Sequence, residues 1–97
     1  MSALMVSRIK VRDPAKLRQY LQAVQKLAAP YGAEMVFRGT RKKTIGGDDD
    51  NAMVVVVRFP DAESIDALFS SDAYRPLEAL REEAAEMQMT SYETLAA

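Results

Sequence analysis

Met53-Val54-Val55-Val56-Val57-Arg58-Phe59, closed by Pro60, is the stretch on which the fold turns. Its apolar residues run on without the alternation of a strand that has one wet face. That pattern predicts a strand buried on both sides. Upstream, Gly46-Gly47-Asp48-Asp49-Asp50-Asn51 is a polar turn, and Glu34 to Ile45 before it reads as a second strand. The two strands form a hairpin with a long loop.

Working outward, Ala3 to Val11 is rich in Val, Ile and Met and reads as a first strand. Asp13 is a good helix N-cap, and Pro14 suits the first helical position, where its missing N–H costs nothing. Leu17, Tyr20, Leu21, Val24, Leu27 and Ala28 then mark one apolar helical face. Ala29-Pro30 ends this helix and Gly32 helps reverse the chain. Beyond Pro60, Asp61 caps a short helix with Ile65, Leu68 and Phe69 as its apolar positions. A helix restarts at Ser71 or Asp72 and carries Tyr74, Leu77, Leu80 and Ala84, with Pro76 near its first turn. A fourth strand follows near Met87 to Thr94.

The order β-α-β-β-α-β with right-handed crossovers defines an α+β, ferredoxin-like protomer spanning 1–97 as one domain. Its four-stranded antiparallel sheet carries both helices on one face. The valine run requires cover on the other face as well. A second copy of the chain is the simplest cover, so the pattern predicts a homodimer joined sheet to sheet through Val6, Val36, Val54 and Val56.

Val11-Arg12-Asp13-Pro14, Tyr31-Gly32, Phe37-Arg38-Gly39, Phe59-Pro60, Ser71 with Tyr74, and Leu80-Arg81 recur in order along nearly the whole chain. The set resembles a small uncharacterised family, a domain of unknown function within the dimeric α/β-barrel superfamily. The resemblance implies that two sheets meet to close a barrel. Among the wider superfamily are cofactor-free monooxygenases of antibiotic biosynthesis, lactone isomerases and haem-dependent members. Relatives commonly carry Trp-Tyr where this chain has Leu68-Phe69, often Pro in place of Asp72, and often Glu in place of Arg58.

Composition sets the remaining limits. The chain has 97 residues and a mass of 10.8 kDa; 48% of its residues are hydrophobic and 28% charged. That is the balance of a globular domain. With 13 Lys and Arg against 14 Asp and Glu, the net charge is −1, which lacks the basic excess of a nucleic-acid binder. The central strand also lacks the stacking aromatics of an RNA-binding sheet. No run approaches the ~18–20 apolar residues of a membrane span, and MSALMVSRIK does not read as a signal peptide. The expectation is a cytoplasmic protein with no membrane or nucleic-acid partner. There is no Cys and no His, so thiolate nucleophiles and the commonest general base and metal ligand are missing. No haem, metal or flavin is expected.

Three arginines stand out. Strand parity assigns Met35 and Phe37 to the helices, and Glu34, Val36 and Arg38 to the far face. The same alternation sends Arg8 and Arg58 to that face. Together Arg8, Arg38 and Arg58 are candidates for an anion pocket inside the barrel. The alternative is ion pairs with Glu34, Glu86 or Glu93. Tyr74 and Arg81, seven residues apart on one helical face, are the second candidate pair, lining the barrel mouth. Against this, Tyr74 packs under the first helix and Arg81 caps a carbonyl or carboxylate. Tyr20 reads as core. Asp48-Asp49-Asp50-Asn51 lacks the ligand order of a calcium loop, and Arg41-Lys42-Lys43 is too short for a nucleic-acid footprint. The favoured reading is a dimer that binds a small apolar or acidic metabolite in the barrel. A cofactor-free enzyme resembling the monooxygenases or lactone isomerases is the alternative, with Glu, Asp, Tyr or Lys as its base.

Overall fold

Asp13 begins the first helix as its residue type predicts. Its carboxylate accepts from the backbone N–H groups of Ala15 and Lys16, each at 3.1 Å, with Pro14 in the first turn. In this computed structural model, which describes residues 2–95, β1 (Ala3–Val11) leads into α1 (Pro14–Ala28). A short 3-10 turn, Ala29–Tyr31, closes on Gly32 at φ +82°. A Cβ there would also lie 2.7 Å from Cγ of Pro60, so both conformation and space demand glycine. Then come β2 (Glu34–Thr40), β3 (Met53–Phe59), α2 (Ala62–Phe69), α3 (Arg75–Ala84) and β4 (Ala85–Glu93). The Asp61 carboxylate caps α2 by accepting from the Ser64 N–H at 2.8 Å.

All strand pairs are antiparallel, in the order β2-β3-β1-β4. Three boundaries differ from the sequence expectation. β2 stops at Thr40 rather than Ile45, because its partner β3 begins at Met53 and pairs with Thr40. One further backbone bond, Arg41 N–H to Ala52 O at 2.7 Å, ends the ladder. α3 starts at Arg75 rather than at Ser71 or Asp72, with Tyr74 as its N-cap. β4 starts directly at Ala85, with no intervening loop.

The core lies between the sheet and the helices. Ala3, Met5 and Phe59 pack with Ala28, Ile65 and Leu68. Ile9, Leu17 and Val55 pack with Ala84 and Ala85. On β1 and β3 these are the odd-numbered residues. Leu4, Val6, Val54 and Val56 lie on the opposite, open face, half-buried within the protomer. Of the valine run, only Val55 is buried by the chain's own helices.

The edge strand departs from simple alternation. Met35 pairs with Val57 and Phe37 with Val56, so Val36 is an extra, bulged residue. A bulge shifts the parity of everything beyond it. Phe37 therefore stands on the open face beside Val56, and Arg38 stands on the helix face beside Val55. This reverses the assignment read from alternation. The Phe37 ring lies over Gly39, where a Cβ would approach its Cζ to 2.6 Å.

Candidate functional site: a methionine-floored cavity under the first helix

A cavity of about 510 Å³ lies between α1 and the sheet. Met5, Met35, Met87 and Met89 line it together with Val55 and Val57. These are helix-face residues of all four strands, and thioethers make an adaptable apolar surface. Phe59, Leu68 and Phe69 extend the apolar wall. From α1 come Tyr20, Leu21 and Val24, and beside them a polar edge of Arg18, Gln22 and Gln25, spaced so that they follow one side of the helix. Arg38 reaches the same cavity from β2. No Asp, Glu or Lys lines it.

One side chain of this lining belongs to a buried polar chain. The Tyr20 and Tyr74 hydroxyls are 2.7 Å apart, their rings edge to face at 6.5 Å. Arg81 donates from Nη1 to the Tyr74 oxygen at 2.8 Å and lies 3.6 Å from the Met89 sulfur. Guanidinium can only donate, so the Tyr74 oxygen accepts from Arg81 and its own O–H is free to go to Tyr20. Phe69 packs edge to face on Tyr74 at 4.8 Å. Burial, and then the bond to Tyr74, push the Tyr20 hydroxyl far above the usual tyrosine range. A smaller cavity of about 270 Å³ lies on the other side of this chain, lined by Tyr74, Arg81, Asp66 and Glu78. Met5, Phe69 and Met89 line both cavities.

The five residues singled out from the sequence do not form one site. Arg8 and Arg58 stand on the open face but at opposite ends of it, Arg8 opposite Val54 and Arg58 opposite Leu4. Arg38 faces the helices. All three are exposed in the protomer. Among the described residues the ion pairs are Lys10–Asp50 at 2.8 Å, Lys16–Glu83 at 3.1 Å and Arg75–Asp72 at 3.6 Å. None of them joins these arginines to Glu34, Glu86 or Glu93. Tyr74 and Arg81 do meet, beneath the helices, and Arg81 caps the Tyr74 oxygen rather than a carbonyl or carboxylate. Arg18 and Gln22 escaped notice in the sequence because a polar edge beside an apolar stripe has the same pattern as a solvent face.

The acidic turn is tied down by its own neighbours. Asp50 pairs with Lys10, which holds the carboxyl below its ordinary pKa. Asp49 is lowered by the backbone and side-chain N–H groups of Asn51, both at 3.0 Å. Among the described residues no group of acidic side chains is arranged to hold a metal ion, and no helix is long and apolar enough to cross a membrane.

Sheet order, helix placement and a cavity between them define a ferredoxin-like α+β protomer. The chain belongs to the domain-of-unknown-function family DUF1330, whose model matches residues 2–95. Solved structures agree on the fold. A protein of unknown function from Rhodopseudomonas palustris superposes with a TM-score of 0.81 at 14% identity, over 99% of this chain and 84% of that one. SnoaB, a cofactor-independent oxygenase from Streptomyces nogalater, gives a TM-score of 0.72 at 13% identity, over 99% and 95%. A dimeric ferredoxin-like protein of unknown function from Jannaschia sp. CCS1 gives 0.68 at 9% identity, over 97% and 100%. A comparison with the curated proteins finds no match.

Proposed function

We propose that this protein is a homodimeric small-molecule binder that holds one largely apolar ligand per protomer in the cavity beneath α1. The observation that carries the reading is the cavity itself. At about 510 Å³ it lies within the usual range for ligand sites, and its walls are mostly apolar. The ligand sits on the helix side of the sheet, not in the barrel that two open faces would enclose. The open face supports the assembly. Leu4, Val6, Val54 and Val56 form an apolar strip there, flanked by Phe37, 54% exposed, and Tyr92, 50% exposed. Such a patch is unusual on a monomer, and a second copy would cover it. The dimeric state of the Jannaschia protein of the same fold agrees. A sheet-to-sheet dimer leaves the cavities on the two outer sides.

Binding is preferred to catalysis because the cavity offers no proton acceptor near neutral pH. No carboxylate or lysine lines it, and the chain has no histidine. Tyr20 keeps its proton. The test is fluorescence titration with N-phenyl-1-naphthylamine, a neutral apolar probe, together with light scattering. The expected outcome is saturable binding of one probe per protomer by a dimer. A monomer at micromolar concentration, or no saturable binding, overturns the corresponding half of the reading. Oxygen consumption or conversion of an aromatic ligand would point instead to cofactor-free oxygenation, which the likeness to SnoaB supports.

A further inference from the structure

We infer that the ligand of the cavity is an amphipathic organic acid, its carboxylate held by Arg18 and Arg38 and its apolar body laid on the methionine floor. This rests on the reading of the cavity as a binding site. Two guanidinium groups, one from α1 and one from β2, line one cavity that contains no acidic residue. Neither is part of an ion pair or a side-chain hydrogen bond among the described residues. Arg38 faces this cavity because the bulge at Val36 turns it there. Two cations lining one cavity with no acidic residue among its walls make its mouth electropositive and favour an anion there, an attraction partly screened because both are exposed. Arginine suits a carboxylate because its planar fork can donate two parallel hydrogen bonds. Gln22 and Gln25 add amide donors on the same edge.

The rest of the lining excludes simpler anions. An inorganic phosphate or a small hydroxy acid would satisfy the arginines but leave the exposed Met35 and the half-buried Met87 and Met89 without apolar cover. A wholly apolar ligand would do the reverse. Only a molecule with an anionic end and an apolar body satisfies both parts. The exposure of both arginines puts the carboxylate at the mouth, where water screens part of the attraction.

The test pairs acids with alcohols of the same shape: decanoate with decan-1-ol, and 2-naphthoate with 2-naphthalenemethanol. Affinities are read by displacement of N-phenyl-1-naphthylamine at neutral pH, in the full chain and in Arg18→Met and Arg38→Met. Arg75→Met, which loses only the surface pair with Asp72, serves as control. The acids should bind roughly fivefold or more tighter than the alcohols. Each cavity substitution should remove most of that difference, read as the ratio of acid to alcohol affinity within the same variant. Equal binding of acids and alcohols, or cavity variants that weaken both alike or neither, overturns the inference and leaves the binding reading standing. Failure of the neutral probe, the alcohols and the acids alike overturns the binding reading and the inference with it.

Discussion

The Tyr20 and Tyr74 hydroxyls, from α1 and from the residue just before α3, meet at 2.7 Å. Tyr20 is 2% exposed and Tyr74 1%, so neither hydroxyl has water as an alternative. Arg81 completes the chain from its half-buried position. Among the described residues every buried side-chain polar atom has a partner, and these three satisfy one another.

Tyr74→Phe should be the most damaging of the single hydroxyl deletions. It removes the acceptor of Arg81 and the partner of Tyr20 at once, a loss of about 1–3 kcal/mol. Tyr20→Phe leaves the Arg81–Tyr74 bond in place and should cost about 1 kcal/mol. Urea denaturation of the two variants, at unchanged slope, reads the order directly. A larger loss for Tyr20→Phe would mean that Arg81 draws little from Tyr74.

Alkaline stability should follow Tyr20. Its folded pKa is raised by burial first and by the Tyr74 bond second. A raised folded pKa gives stability that is complete below the unfolded value and is lost as pH climbs above it. Between about pH 10 and the folded pKa the unfolded chain releases a proton that the folded chain keeps, so stability falls with rising pH. Thermal melts from pH 8 to 11 should therefore show a decline beginning near pH 10. Tyr20→Phe should be flatter over that range, and an equally steep decline in it would assign the effect elsewhere.

Two glycines separate backbone strain from crowding. Gly32 and Gly47 both have positive φ, +82° and +76°. A Cβ at Gly32 meets the Pro60 ring at 2.7 Å, whereas one at Gly47 meets nothing within 4 Å. Gly47→Ala should cost the left-handed strain alone, about 1–2 kcal/mol. Gly32→Ala should exceed it, because the turn after α1 must also move away from Pro60. Equal midpoints for the two variants in one denaturation series would show that the Pro60 contact relaxes freely.

Charge on the open face should act on assembly, and the same face rule distinguishes Phe37 from Arg38. Val56→Asp, at the centre of the apolar strip, should give aggregation or unfolding rather than a well-behaved monomer, since an obligate interface resembles a core cut in two. Phe37→Asp at the sheet edge should weaken the proposed dimer. Arg38→Met, on the opposite face, should leave it intact. Light scattering across a dilution series reads all three; weakening by Arg38→Met would mean that the bulge does not set the face.

The sequence alone determined the element order, the start of α1, the caps at Asp13 and Asp61, and the apolar stripe of α1. Each depends on interactions within a few residues, so local spacing carries the information. It also determined that one sheet face would lie open and apolar, because four consecutive valines cannot all turn toward one layer of helices. The tertiary structure decided the rest. Whether Phe37 or Arg38 faces the helices depends on where β2 gains its extra residue against β3. Alternation of Met35 and Phe37 fits an unbulged strand equally well. The meeting of Tyr20, Tyr74 and Arg81 depends on how α1 and α3 pack together, far apart in sequence. The cavity is a gap between layers, with no residue pattern of its own. A shift of register by one residue turns every later side chain to the other face, and that moved Arg38 from the expected barrel to the cavity under α1.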